Sequence, residues 1–189
     1  MDSCQRCNGK GTIPDFLGGR LGGEACADCG GTGRAPGSAI SALATGGTYR
    51  ITVDRGRTLG EAIAAGRYDS VDSDINSRNY SEPSPVPGEA EAVLVHLDRV
   101  ATTAEAEAGI AHPGLRPVTL WELLAFGERY PDVQRQFPVI ALGSSWIDSY
   151  GGRVVPLLFG CSGGRGLGLS WDDPGDIWLD DCRFLAVRM

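Results

Sequence analysis

Four of the six cysteines in this chain fall into two copies of one pattern. Cys4-Gln5-Arg6-Cys7-Asn8-Gly9-Lys10-Gly11 and Cys26-Ala27-Asp28-Cys29-Gly30-Gly31-Thr32-Gly33 both read C-x-x-C-x-G-x-G. A Cys-x-x-Cys pair can place two sulfurs on one metal ion, and two such knuckles supply the four ligands of a closed tetrahedral zinc site. Cys4, Cys7, Cys26 and Cys29 are therefore the expected ligands of one structural zinc ion. The glycines behind each pair fit the same purpose. A chain that wraps its amides around thiolate sulfurs turns sharply, often at positive φ, and glycine does so without steric cost. Four thiolates leave no open position for water, so this zinc is expected to hold structure and not to hydrolyse anything.

Disulfides and a thiol redox couple are the competing uses of such cysteines. Disulfides suit a secreted chain, but this one opens Met1-Asp2-Ser3-Cys4, with neither a basic nor an apolar leader region. A thioredoxin-like dithiol sits between a strand and a helix, a setting that the glycine-dense surroundings do not suit. The reading is zinc and a cytoplasmic address, each supporting the other, because an oxidising compartment would favour disulfides over metal.

The doublet resembles the cysteine-rich zinc-finger region of the DnaJ chaperone family, whose signature is C-x-x-C-x-G-x-G. That family carries four repeats and two zinc ions; the two repeats here suffice for one. Residues 8–25, which separate Cys7 from Cys26, resemble the spacing of the family's inner pair of repeats. The resemblance implies an extended, β-hairpin-like finger with Cys4, Cys7, Cys26 and Cys29 as ligands, and it covers residues 1–35. The sequence holds no His-Pro-Asp tripeptide, so coupling to an ATP-driven chaperone is not implied. Similar two-repeat zinc units occur in small bacterial regulators such as the anti-TRAP protein, where they support contacts between proteins. A protein partner, one that is incompletely folded included, is the expected ligand.

The full chain has 189 residues and a formal net charge of −7. That balance disfavours charge-driven binding to DNA or RNA, which relies on cationic groups displacing counterions. Within the finger, Arg6, Lys10, Arg20 and Arg34 offset Asp2, Asp15, Glu24 and Asp28, so it offers phosphates no basic face. A nucleic-acid-binding regulator is thus the weaker reading of the same zinc module. No apolar run approaches the roughly 18 residues of a membrane span, and no membrane partner is expected.

The finger carries Ile13, Phe16, Leu17 and Leu21 but few other large apolar groups, so metal must stabilise it. Residues 36–47, small and nearly uncharged, read as a linker, although Ile40-Ser41-Ala42-Leu43 could dock on the next domain. From residue 48 to 189 the pattern is that of an α+β domain with a few short helices and an antiparallel sheet. Tyr49, Ile51 and Val53 alternate with polar residues as in a strand with one buried face. Thr58 with Glu61, Thr102 with Glu105, and Thr119 with Glu122 are spaced as capping boxes that open helices. Leu120, Leu123, Leu124 and Phe126 form the apolar face of the third helix, which Trp121 can join. Residues 67–81 read as irregular and Glu82–Gly88 as a proline-rich loop. Ala92–Leu97 is a strand, and Val139–Leu142, Val154–Phe159, Leu167–Trp171 and Cys182–Val187 are expected to form a meander.

Residues 52–189 resemble a set of uncharacterised small bacterial proteins. The resemblance rests on Gly60-Glu61-x-Ile63-Ala64-Ala65-Gly66-Arg67-Tyr68-Asp69, on Leu115-Arg116-Pro117-x-Thr119 and on Cys182-Arg183-Phe184-Leu185-Ala186-Val187-Arg188; it implies no activity. The order from Gly114-Leu115-Arg116-Pro117 through a helix to strands ending in Phe184–Arg188 is also similar to a C-type-lectin-like domain. That resemblance implies ligand or protein binding.

The other chemistry-bearing residues have plainer uses. The tail from Trp171 to Asp181 holds five aspartates that could bind calcium, but their spacing is not that of an EF-hand loop, and Pro174-Gly175 reads as a turn. Trp146, Trp171 and Trp178 could line a groove, and at least two are expected in the core. Neither His96 nor His112 has catalytic or ligating spacing. Ser144-Ser145 lacks the nucleophile elbow. Gly163-Gly164-Arg165-Gly166-Leu167-Gly168 lacks the strand–loop–helix setting of a phosphate loop and reads as a hairpin turn. Cys161 and Cys182 are expected as buried thiols. An enzyme would require a site in the C-terminal domain, for which the acidic tail with Arg183 is one candidate; with no catalytic constellation evident, binding is the expected function.

Overall fold

The computed structural model describes residues 47–80, 88–111, 114–172 and 176–189, together with three two-residue strands nearer the N-terminus. Two of these, β1 (Thr12–Ile13) and β2 (Glu24–Ala25), pair antiparallel with each other. The third, β3 (Leu43–Ala44), joins the main sheet, inside the segment read as a linker. The chain continues through β4 (Tyr49–Thr52), α1 (Leu59–Gly66), β5 (Ser70–Val71), β6 (Glu89–His96) and β7 (Ala101–Thr102). Next come α2 (Thr103–Ala111), β8 (Leu115–Pro117), α3 (Leu120–Arg129), β9 (Val139–Ile140) and β10 (Trp146–Ile147). The last strands are β11 (Arg153–Cys161), β12 (Gly164–Trp171), β13 (Ile177–Trp178) and β14 (Arg183–Arg188). The described part is α+β.

The capping boxes form as their spacing requires. Thr58 and Glu61 cap α1, and Arg67 closes it in the left-handed conformation with φ 51°. Thr102 and Glu105 exchange the same pair of bonds before α2. Glu122 combines two jobs at α3. Its carboxylate accepts the Thr119 backbone N–H at 2.8 Å and is clasped by both terminal nitrogens of Arg116 at 2.9 and 2.7 Å. The Glu122 side chain is fully buried, so all three bonds act in a low dielectric. Glu122→Ala is expected to cost about 2–4 kcal/mol, from the lost cap and the stranded guanidinium. A urea-denaturation midpoint measures it.

The main sheet runs β3–β6–β14–β9–β11–β12–β5, with β4 beside β6, β8 beside β14 and β10 beside β11. The expected meander holds only for β9, β11 and β12. The final strand does not follow β12 but inserts between β6 and β9, antiparallel to the first and parallel to the second. The reason lies in its composition. Phe184, Leu185, Ala186 and Val187 are all buried, which a strand at the sheet's edge could not achieve. Alternate residues of the inner strands serve two cores. Leu94, Leu185 and Leu158 pack against α1 and α3, whereas Val95, Phe184 and Val155 pack against α2 and the β7–β13 ladder. The stretch 67–81 is also less irregular than its sequence suggests, because β5 pairs parallel with β12 and Ile75 and Tyr80 are buried.

The glycine-rich stretch is the β11–β12 hairpin that its sequence implies. Cys161 pairs with Gly164 across Ser162-Gly163, and Gly164 has φ +133°. Opposite Gly166 lies Phe159, whose ring fills the space that a Cβ at Gly166 would need. Arg165, between these glycines, is buried. Its guanidinium donates to Gly66 O at 2.9 Å, to Gly127 O at 2.7 Å and to Gln134 Oε1 at 3.1 Å, and lies 5.1 Å from the Tyr68 ring centroid. Gly66 ends α1 and Gly127 sits in the last turn of α3, so one cation meets the orphan carbonyls and negative dipole ends of two helices.

Candidate functional site

Cys4, Cys7, Cys26 and Cys29 lie outside the described residues, but the ladder that connects their two motifs is described. Thr12 pairs with Ala25 and Ile13 with Glu24. Thr12 follows Gly11, the last glycine of the first motif, and Ala25 precedes Cys26, the first cysteine of the second. The register thus sets the residue that follows the first motif opposite the residue that precedes the second. Among the described residues no cluster of three or more His, Cys, Asp or Glu side chains is arranged to hold a metal ion.

In the larger domain, several residues singled out by type prove structural. Ser144 Oγ accepts the Leu120 N–H at 2.9 Å and so caps α3. His96 Nε2 lies 2.8 Å from the Asp180 carbonyl oxygen. His112 and the Pro174-Gly175 turn lie outside the described residues. Arg183 directs Nη1 to the carbonyl oxygens of Asp181 at 2.8 Å and Cys182 at 3.1 Å and stacks over Phe137. Asp172 is not a solvated member of an acidic tail. Its buried carboxylate pairs with Arg153 at 2.7 Å and accepts a hydrogen bond from the Thr103 hydroxyl, which in turn accepts from Trp178 Nε1 at 2.9 Å.

The two remaining cysteines are both free thiols, and the expectation that both are buried is half corrected. Cys161 is exposed, because the hairpin tip projects beyond the sheet, whereas Cys182 is half-buried. Burial, with Asp181 beside it, pushes the Cys182 thiol up to about 11. Of these two, a thiol reagent at pH 8 is expected to modify Cys161 first and Cys182 at least about tenfold more slowly, because thiolate is the reactive form. Time-resolved mass spectrometry separates the two.

The tryptophans divide. Trp178 is buried and Trp146 packs against the first core, as expected for two of the three. Trp171 is 62% exposed. Its indole nevertheless has a partner, since Nε1 donates to Asp148 Oδ2 at 3.2 Å. The other oxygen of Asp148 accepts the backbone N–H groups of Tyr150 and Gly152, each at 2.9 Å. These backbone bonds, Gly152 foremost, hold the Asp148 carboxyl below the usual aspartate range. Ile147 and Tyr150 flank the turn with their side chains in solvent. The contact between Trp171 and Asp148 joins residues on separate elements and has no local signal in the sequence.

A second surface also lacked a sequence signal. A cleft of about 680 Å³ opens between the loop after β4 and α3, bordered by Thr52, Asp54, Arg57, Ala125, Glu128 and Arg129. Arg57 crosses it, reaching Glu128 at 2.7 Å and Asp54 at 3.3 Å. The Arg57 cation is thereby matched by two carboxylates, and Arg55 and Arg129 also line the cleft.

No helix among the described residues is long and apolar enough to cross a membrane. Compared with known proteins, the chain matches no family model, no curated protein and no solved structure.

Proposed function

We propose that this chain is a zinc-binding protein-interaction module, an adaptor, regulator or chaperone-like protein, in which Cys4, Cys7, Cys26 and Cys29 hold one structural zinc ion. The observation that carries the reading is the β1–β2 ladder, with Thr12 opposite Ala25, joining two C-x-x-C-x-G-x-G motifs. An antiparallel pair in this register supports two knuckles meeting on one ion, as the DnaJ-type resemblance implies. A closed set of four thiolates supplies rigidity rather than reactivity. The function is then binding. The finger recognises a protein, and the α+β domain adds further surface. A net charge of −7 favours a protein over a nucleic acid as that partner.

The test is a crosslinking pull-down from bacterial lysate with the intact protein and with Cys29→Ser. The intact protein is expected to recover a defined set of partners that the variant loses. Equal recovery by both would remove the finger as the recognition element.

A further inference from the structure

Among the described residues, the outer edge of β12 is only partly covered. Backbone groups of Arg165 and Leu167 bond outward to the β5 segment, with Asp69 N donating to Arg165 O at 2.8 Å and Asp72 N to Leu167 O at 2.9 Å. Strand alternation makes Leu169 and Trp171 the next residues whose N–H and C=O point the same way. The neighbouring chain leaves before it reaches them. At Asp72 it turns, as Asp74 N donates to the Asp72 side chain at 2.9 Å and Ile75 N to Asp72 O at 3.1 Å. Among the described residues no strand pairs with this edge beyond Leu167.

An open edge of this kind is a template for another strand. It ends on the exposed Trp171 indole, which already has Asp148 as a partner. A large aromatic loses little conformational freedom on binding, which is why such residues dominate interface energetics. The charge around it has one prevailing sign. Asp72 and Asp74 stand where β5 departs, Asp148 lies beside the indole, and the loop from Asp72 to Tyr80 contributes Arg78 as its one basic residue. Arg153, nearby, is engaged by Asp172. A second copy of this chain would bring the same carboxylates to the same edge, so charge disfavours self-pairing.

We infer that Leu169–Trp171 receives an extended, lysine- or arginine-bearing segment of a protein partner, which adds as a strand and lays a side chain on the Trp171 indole. This rests on the interaction reading above and names the surface and the kind of segment that binds. A cation over an indole face is favourable in its own right.

The probe is a blocked hexapeptide of alternating lysine and valine, titrated into the full zinc-loaded chain, with a glutamate–valine peptide as control. Amide resonances of Leu169 and Trp171 are expected to shift saturably with the basic peptide alone. Raising salt from 50 to 200 mM is expected to weaken binding at least threefold, and Trp171→Ala at least fivefold with an unchanged melting temperature. Binding mapped elsewhere, no binding, equal response to both peptides, or an unaffected Trp171→Ala variant would overturn the inference. So would concentration-dependent dimerisation that shifts the same amides without peptide. Partner capture lost in Cys29→Ser alongside an unresponsive edge would sink this assignment and leave the zinc reading standing.

Discussion

Replacing Arg165 by methionine is expected to lower the free energy of unfolding by about 3–5 kcal/mol. The guanidinium donates to three acceptors, Gly66 O, Gly127 O and Gln134 Oε1, all inside the protein. Methionine fills much of the volume but donates nothing, so these oxygens would keep their desolvation cost without a partner. The two carbonyls also end α1 and α3, whose dipoles then point at an apolar side chain. Arg165→Lys is expected to fall between wild type and Arg165→Met, because a single ammonium cannot span all three acceptors. Denaturant midpoints with an unchanged slope would measure both. A loss under about 1 kcal/mol for Arg165→Met would mean that the carbonyls are satisfied without the guanidinium.

The second large effect is expected from removing metal. A segment with so few large apolar residues cannot fold on burial alone, and zinc-finger peptides gain roughly 10–16 kcal/mol from the ion. Chelation of the full chain should therefore collapse the amide resonances of residues 1–35, the Thr12–Ala25 ladder among them. The α+β domain holds its own two cores and is expected to keep its melting temperature to within a few degrees. A coordinated loss of both parts would show that the finger and the domain fold as one unit.

Legibility in the sequence tracks the range of the interactions concerned. Capping boxes are four-residue signals, and Thr58–Glu61, Thr102–Glu105 and Thr119–Glu122 all form as their spacing requires. The alternation of Tyr49, Ile51 and Val53 likewise reports a local fact, that β4 has one buried face. Strand order is not local. Nothing near Phe184–Val187 states that it pairs with β6 rather than β12; only its unbroken apolar run hints at a central position. The pairs that matter most on the surface and in the core are likewise non-local. Trp171 with Asp148, and Arg165 with Gly66 and Gly127, depend on topology that two-residue strands such as β5 and β9 leave almost unmarked. The zinc motif is the opposite case. The pattern that suggests zinc is written in eight residues twice over, and the four proposed ligands lie outside the described residues, so the proposal rests on the sequence together with the ladder between the motifs.

The most direct measurement is zinc per chain in protein purified without chelator under reducing conditions, compared with a variant in which Cys4, Cys7, Cys26 and Cys29 are all serine. One tightly held zinc ion is expected in the first and none in the second, with those four thiols shielded from alkylation until the ion is removed. Metal-free native protein with four freely reactive thiols, or a variant that still retains its zinc, would contradict that expectation.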